Sequence, residues 1–280
     1  MRLLAKIRYA SRKLRLGIPR GALVLDVGGG AFPNFRSNVV CDLMTENSER
    51  WSPLVVDRPF VWANGEMLPF RDNSFDFVIL SHVLEHTFWP ERMLEEIQRV
   101  APRGYIETPA AWQEHLMPTG FHCSRVAIAE DGQLVIHLKS SPDEGSRSLP
   151  PDVRAELARL WEHLVNVHPE WNLTTLFWQR PIKYTVVRLE KARGWEKAYD
   201  RAQMESAKQP SASYGAIVRA LRWLLRPRPA ARLERLLCCP RCRSHLMTDG
   251  ADRMRCEGCG SEYGKLRGFW NLVAHPPASS

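Results

Sequence analysis

The sequence predicts an α/β fold with a doubly wound, mainly parallel sheet, followed by a small metal-binding module at the C-terminus. Two observations predict it. Short apolar runs recur along roughly the first 110 residues, as expected of strands that are buried on both faces of a parallel sheet. Five of the seven cysteines lie between Cys238 and Cys259, which indicates a local metal site and not a disulfide framework spread along the chain.

Five predicted strands make up the N-terminal part of the sheet. They span residues 22–27, 38–43, 59–64, 76–82 and 104–109. Between the fourth and the fifth, residues 90–100 predict a helix, because Met93, Leu94, Ile97 and Val100 recur at helical spacing and Pro90 suits the first helical position. Alternation of strands and helices is typical of a doubly wound sheet.

The pattern changes after residue 110. Asp131-Gly132, between two apolar segments, predicts a β-hairpin. A helix is predicted at 153–167, and a pair of strands at 172–178 and 182–190. We interpret this region as a substrate-side insertion or edge of the same domain. The predicted organisation is a basic N-terminal helix at 1–20, a main domain at 21–190, a basic helical connector at 191–233 and a cysteine module at 234–274.

The charge of the chain favours acidic partners. Its 280 residues carry a formal net charge of +8, which suits nucleic acid, anionic lipid or phosphorylated glycans without selecting among them. No apolar run reaches the roughly 20 residues of a membrane-spanning helix, and the basic N-terminus lacks the apolar core of a secretory signal. We therefore expect a cytoplasmic protein. The basic faces of the N-terminal helix and the connector could also lie on the anionic inner face of a membrane.

A glycine-rich turn follows the first predicted strand. Gly28, Gly29 and Gly30 let the backbone turn sharply and approach a ligand closely, because glycine has no Cβ. A dinucleotide-binding fingerprint would place glycine near position 33, where this chain has proline. Asp26, just before the turn, suits a cationic amine better than a pyrophosphate. Asp42 ends the second strand, where its carboxylate can accept two hydrogen bonds from ribose hydroxyls.

These motifs carry a family resemblance. The segments LVLDVGGG, VVCDL, NGEMLPFRDNSFDFVILSHVLEH and RGYIETP resemble, in order, the motifs of class I methyltransferases that use S-adenosylmethionine (SAM), which have a Rossmann-like sheet. The resemblance covers roughly residues 20–110. It implies that the glycine turn cradles the methionine part of SAM and that Asp42 holds the ribose. The implied SAM-binding residues are Asp26, Gly28, Gly29, Gly30, Asp42, Asn64, Gly65, Glu66, Met67 and Ser81.

The adenine side of this site departs from the family pattern. Asn64 stands where the family usually has aspartate after the third strand, and its amide oxygen can still accept a hydrogen bond from the adenine amine, without a charge. Gly65, Glu66 and Met67 would complete the adenine wall.

The acceptor base is expected just after the fourth strand, where the acceptor approaches in the family. Methyl transfer from a sulfonium needs in-line placement of the nucleophile, and an alcohol acceptor also needs a base. His82 is the preferred base and His86 the second candidate, because the pKa of an unperturbed histidine is about 6.5. Glu107 and His122 are weaker candidates. No catalytic metal is implied by these motifs.

The C-terminal cysteines have the spacing of a zinc ribbon. Cys239, Cys242, Cys256 and Cys259 form two CxxC turns, which can point four thiolates at one structural Zn²⁺. The segment around them resembles the small zinc-ribbon activators that bind several RNA and protein methyltransferases, usually as separate subunits. The resemblance implies that the ribbon docks in cis through flanking apolar residues. These candidates are Leu236, Leu237, Tyr263, Phe269, Trp270 and Leu272.

Three functions fit these observations. The first is an O-methyltransferase acting on a glycan or other small metabolite. The second is an RNA methyltransferase whose ribbon and basic connector contact phosphates. The third is a non-catalytic partner protein that keeps the fold and uses the ribbon for assembly. The sequence does not identify the acceptor.

Overall fold

A computed structural model describes residues 11–30, 32–44, 53–141, 149–188 and 233–274. Residues 1–10 of the predicted N-terminal helix, and the predicted connector up to residue 232, lie outside the described residues. The chain divides into two compact units. The histidine unit contains Met1–Gly17, Ser81–Pro90 and Tyr105–Glu205, and the sheet unit contains Ile18–Leu80, Glu91–Gly104 and Ser206–Ser280. The predicted domain boundaries remain predictions.

Four parallel strands form the core of the sheet unit. They are β1 (Val24–Val27), β2 (Val39–Asp42), β3 (Phe60–Trp62) and β4 (Phe77–Ser81), and they lie in the order β3-β2-β1-β4. All residues of the first three are buried, because a parallel sheet is covered on both faces. The predicted α/β fold with a parallel sheet is confirmed.

Helix α1 (Pro90–Val100) has the bounds that the sequence predicts. Its apolar positions form one face, and Leu94, Ile97 and Val100 are fully buried. The helix ends beside the loop before β4, where Phe75 N donates a hydrogen bond of 3.0 Å to Val100 O.

The ribbon is a four-stranded antiparallel meander. Its strands are β10 (Leu246–Asp249), β11 (Arg253–Cys256), β12 (Glu262–Leu266) and β13 (Phe269–Asn271). The last of them, β13, pairs in parallel with β3, with Trp270 opposite Val61. The ribbon therefore continues the sheet of the same unit, and its predicted docking in cis is confirmed.

Side chains on both sides reinforce this junction. Phe269 packs edge-on against Phe60, with ring centroids 5.4 Å apart. The indole nitrogen of Trp62 donates a 3.0 Å hydrogen bond to Leu266 O, and Leu272 N donates to Trp62 O at 2.9 Å.

The start of the ribbon segment makes a second contact with the sheet unit. Leu237 forms a β-bridge with Phe70, and Arg71 Nε donates to Leu237 O at 3.1 Å. Arg243 lies 3.2 Å from the carboxylate of Glu96 on α1. The two contacts fix both ends of the ribbon.

The histidine unit contains the rest of the described elements. They are β5 (Arg103–Pro109), α2 (Ala111–Leu116), β6 (Ser124–Ile128), β7 (Leu134–Leu138), α3 (Pro151–Val167), β8 (Leu173–Gln179) and β9 (Tyr184–Val187). Strands β6 and β7 form the predicted hairpin, in which Val126 faces Ile136.

The predicted pairing of the strands at 172–178 and 182–190 is wrong. Strand β8 lies beside β5, whereas β9 pairs in parallel with β7, with Leu134 opposite Tyr184. Both segments are extended, as predicted, but β9 pairs with the edge of β7 and not with β8. In the described ranges, no helix combines the length and the apolarity needed to cross a bilayer.

Candidate functional site

The turn after β1 is tight and has no room for side chains. Gly28 has a φ of 71°, in the left-handed region that favours glycine, and its N–H donates a 2.8 Å hydrogen bond to Cys41 O. A Cβ on Gly29 would lie 2.5 Å from Cγ of Asp26. The turn thus wraps closely around the Asp26 carboxylate, which is buried and accepts a 2.7 Å hydrogen bond from Asn34 N.

The Asp42 carboxylate is held at the end of the neighbouring strand. Its Oδ2 accepts a 3.0 Å hydrogen bond from Gly30 N, and its Oδ1 accepts one of 2.9 Å from Met44 N. Each carboxylate oxygen can accept more than one hydrogen bond. The donors and acceptors at this edge fit a ribose, and the bare backbone of the glycine turn fits a closely bound ligand.

A second tight turn follows β3. The side-chain oxygen of Asn64 accepts a 2.9 Å hydrogen bond from Glu66 N, and Met67 N donates to Asn64 O at 3.0 Å. A Cβ on Gly65 would approach Met93 Cε to 3.0 Å. The structure therefore brings the turns after β1, β2 and β3 together within the sheet unit, as the sequence predicts.

Glu107 is a buried acid of the histidine unit with several polar partners. It is fully buried and accepts hydrogen bonds from Arg12, from Tyr105 Oη at 2.7 Å and from Ser81 Oγ at 2.9 Å. Burial raises the pKa of Glu107, but hydrogen bonds from His82 and Arg12 outweigh it and hold this pKa well below the ordinary value. Ser81 is predicted to contact SAM, and in the structure its hydroxyl donates its proton in a hydrogen bond to Glu107.

His82 lies between two carboxylates. Its Nε2 is 3.4 Å from Glu107 Oε1 and its Nδ1 is 3.3 Å from Glu85 Oε1. Its φ of 57° is left-handed, an uncommon conformation for a residue with a Cβ. Burial alone lowers its pKa, but the neighbouring carboxylates of Glu107 and Glu85 raise the pKa of His82 to about 9. The imidazole is therefore protonated at neutral pH and can act as a base only after it loses that proton.

His86 has the opposite protonation behaviour. Burial lowers the pKa of His86 to about 4, so its imidazole is neutral at neutral pH. Its Nδ1 lies 3.4 Å from Phe121 O, and its ring stacks on the Phe121 ring. The two predicted catalytic histidines thus carry different charges within one unit.

A buried ionic cluster next to His86 was not predicted from the sequence. His122 Nδ1 lies 2.7 Å from Glu114 Oε2, and Lys139 Nζ lies 3.0 Å from Glu114 Oε1. All three side chains are buried. They come from α2, the loop before β6 and the end of β7, so no short spacing in the sequence connects them.

The basic N-terminal segment contributes to this unit as well. Arg12 donates two hydrogen bonds to Glu107, and Lys13 Nζ lies 3.7 Å from the same carboxylate. They belong to the basic N-terminal segment, whose charged face was predicted to lie on an anionic surface. The structure instead directs them towards a buried acid.

The four ribbon cysteines are arranged to bind one metal ion. Their sulfur atoms lie within 4.8 Å of one another, with Cys239 Sγ 3.7 Å from Cys259 Sγ and Cys242 Sγ 3.3 Å from Cys256 Sγ. Zn–S bonds of about 2.3 Å in a tetrahedron separate the sulfur atoms by about 3.8 Å, so this cluster fits a structural Zn²⁺. The phenolic oxygen of Tyr263 lies 3.1 Å from Cys239 Sγ. Cys238 is buried and is not one of the four.

Comparison with known proteins finds similarity over part of the chain. A family model described as a methyltransferase domain matches residues 17–107. An uncharacterized protein of Methanocaldococcus jannaschii, MJ1123, is 36% identical over 93 residues, which cover 32% of this chain and 44% of that protein. The chain therefore matches less than half the length of this relative.

Several solved structures are similar over part of the chain. One is a complex of the Haloferax volcanii Trm112 methyltransferase activator with a protein assigned as a methyltransferase, at 18% identity, covering 66% of this chain and 96% of that chain, with a TM-score of 0.36. Another is YcgJ of Bacillus subtilis, at 20% identity, covering 38% of this chain and 51% of that chain, with a TM-score of 0.30. A SAM-dependent methyltransferase of Mesorhizobium loti is 14% identical, covers 58% of this chain and 94% of that chain, and has a TM-score of 0.32.

Proposed function

We propose that the chain is a SAM-dependent enzyme that methylates an oxygen of a glycan or another small metabolite, because residues 17–107 match a family model described as a methyltransferase domain. One observation carries the proposal. The Asp42 carboxylate is held by the amides of Gly30 and Met44, next to a turn too tight for a side chain. A ribose diol is a matching ligand for such a carboxylate.

The sheet unit supplies most of the proposed SAM contacts. Asp42 accepts hydrogen bonds from the ribose hydroxyls, and the turn from Gly28 to Gly30 lies against the methionine part. The turn from Asn64 to Met67 borders the adenine. Asp26 acts mainly by fixing the glycine turn, because its carboxylate is buried and already bonded to Asn34 N. Ser81 contacts SAM through its hydroxyl oxygen, which retains a lone pair while its proton is donated to Glu107.

The histidine unit supplies the proposed base. Bound SAM supplies an electrophilic methyl group, and the chain has to place the acceptor in line and remove its proton. We assign the proton transfer to His82, which follows β4 directly and has a side chain that is 41% exposed. Glu85 and Glu107 hold its ring from both sides. His86 is the second candidate base, since its imidazole is neutral.

The experiment that tests the function begins with the purified full chain. Mass spectrometry of the extracted protein detects co-purified SAM or its demethylated product. Methyl-labelled SAM is then incubated with the protein and fractionated cell extract, and label is counted in small molecules, polysaccharide and RNA. Label in the first two fractions supports the proposal, and label in RNA alone supports the RNA methyltransferase instead. Failure to bind SAM would favour a non-catalytic partner protein.

The cellular location is part of this proposal. A net charge of +8 attracts the chain to anionic surfaces, and a cytoplasmic enzyme that reaches the inner face of a membrane would meet glycan acceptors there. The support is the composition of residues 1–20 and 191–233. Flotation with neutral and anionic liposomes tests it, and equal binding to both would contradict it.

A further inference from the structure

Three side chains of the histidine unit form a second group of potential metal ligands. The ligand atoms of Glu85, His86 and His122 lie within 4.8 Å of one another. We propose that these residues bind a divalent transition-metal ion, with Zn²⁺ as the first candidate, through two imidazole nitrogens and one carboxylate oxygen. This set is distinct from the four thiolates of the ribbon, and two imidazoles with a carboxylate are a recurrent Zn²⁺ ligand set that leaves one position for water.

The ring of His122 is oriented as a metal ligand needs to be. Its Nδ1 lies 2.7 Å from Glu114 Oε2, and in the neutral tautomer that donates from Nδ1 to this carboxylate the lone pair lies on Nε2. Glu114 is itself fixed by Lys139 Nζ at 3.0 Å and by Thr119 N at 2.9 Å. A carboxylate behind a histidine in this way fixes the tautomer and raises the basicity of the nitrogen that faces a metal.

The ring of His86 is also oriented by a hydrogen-bond acceptor, in this case a backbone carbonyl. Its Nδ1 lies 3.4 Å from Phe121 O, which again assigns the proton to Nδ1 and the lone pair to Nε2. Its ring meets the His122 ring edge-on, with centroids 4.9 Å apart.

The burial of the Glu85 carboxylate points to a bound cation. Its side chain is 1% exposed, and neither carboxylate oxygen has a hydrogen-bond partner among the described residues. The ring of His82 lies alongside, with Nδ1 3.3 Å from Oε1. The charged ring of His82 offsets part of the cost at Oε1, but Oε2 is buried without a hydrogen-bond donor among the described residues, and coordination to a cation would remove that cost.

The backbone holds the three ligands in place before any metal binds. Cys123 N donates a 2.6 Å hydrogen bond to Glu85 O, and Cys123 Sγ donates to His86 O at 3.3 Å. These bonds tie the segment after β4 to the segment that carries His122. The ligand atoms lie within 4.8 Å of one another, and Zn²⁺ requires bond lengths of about 2.1 Å to each of them.

The test is metal binding by the full chain without SAM or acceptor, so it does not depend on the proposed methyl transfer. The ribbon is first loaded with Zn²⁺, and Co²⁺ is then titrated against the folded protein. We expect one further equivalent of Co²⁺, with ligand-field absorption but without the thiolate charge-transfer absorption of a cysteine site. His122→Ala and Glu85→Gln should each lose this equivalent, whereas His115→Ala, which changes an exposed histidine of α2, should retain it.

Two further measurements keep the result unambiguous. Circular dichroism establishes that each variant is folded, and if His122→Ala does not fold, His86→Ala replaces it. Glu114→Gln should keep the second equivalent but weaken its affinity by roughly 10- to 100-fold, because it removes the support behind His122. Binding of a single Zn²⁺ by the wild-type chain and no Co²⁺ beyond it would overturn the proposal. So would a second equivalent that survives in folded Glu85→Gln and His122→Ala.

Discussion

Arg12 donates two hydrogen bonds to the carboxylate of Glu107, from Nε at 2.8 Å and from Nη2 at 2.9 Å. The two residues are 95 positions apart in the chain. An arginine that donates two hydrogen bonds to one carboxylate forms a strong ion pair with a defined geometry. The ion pair fixes the Glu107 side chain near the end of β5. We therefore interpret Glu107 as a structural residue and not as the base that deprotonates the methyl acceptor.

This pair predicts a pH dependence of stability. The folded-state pKa of Glu107 lies below the unfolded value of about 4.3, so its stabilising effect is complete above that pH and is lost as the pH falls towards the folded pKa. Glu107→Gln should lower the free energy of unfolding at neutral pH by about 1–3 kcal/mol. It should also flatten the fall in stability below about pH 4.5. Urea unfolding across this range measures both effects, with Glu156→Gln on the exposed face of α3 as the control.

Asp42→Ala should weaken SAM binding by about 1.5–3 kcal/mol, because it removes hydrogen bonds from a charged acceptor. Isothermal titration calorimetry measures the change. Asp42→Asn, which keeps one accepting oxygen, should show a smaller loss, and Asp131→Ala in the exposed hairpin turn should show none. Unchanged affinity in a folded Asp42→Ala variant would remove Asp42 from the SAM site.

His82→Ala should lower the turnover number by roughly 100-fold while leaving SAM affinity unchanged. The reason is that a base acts on the transferred proton and not on the bound cosubstrate. Steady-state kinetics and calorimetry separate the two effects, and His115→Ala serves as the exposed control. Near-normal turnover would assign His82 to holding Glu85 and Glu107 in place.

Removal of zinc should unfold the ribbon and destabilise the sheet unit. A segment of about 40 residues buries too little apolar surface to fold unaided, so the metal supplies much of its folding free energy. Chelation or Cys256→Ser should lower the melting temperature by more than about 5 °C. Met247→Ala, an exposed change on β10, should not. A chain without bound zinc that melts at the wild-type temperature would contradict this interpretation.

The local elements were predictable because their signals are local. Helical spacing gave the bounds of α1, and apolar runs gave β1 to β4 within one to two residues at most ends, as in 59–64 against Phe60–Trp62. The residue types at the glycine turn and at the end of β2 indicated a ligand site because their chemistry is visible in the sequence. The CxxC spacing likewise predicted the ribbon.

Contacts between residues that lie far apart in the sequence were not predictable. The pairing of β9 with β7 depends on which strand edge remains open, and an extended pattern does not show this. The Glu114–Lys139 ion pair joins residues that periodicity treats as polar surface, although both are buried. The charge of His82 and the neutrality of His86 likewise depend on neighbours that only the folded chain supplies.

The junction between β3 and β13 has a consequence for synthesis of the chain. Trp62 and Leu266, which it joins, are 204 residues apart. At translation rates of 5–20 residues per second, β3 emerges on the order of 10–40 s before its partner. During that interval the nascent chain exposes an unpaired strand edge beside aromatic side chains, which is a site for chaperone binding or self-association. The exposure therefore ends only when the ribbon has been synthesised and β13 pairs with β3.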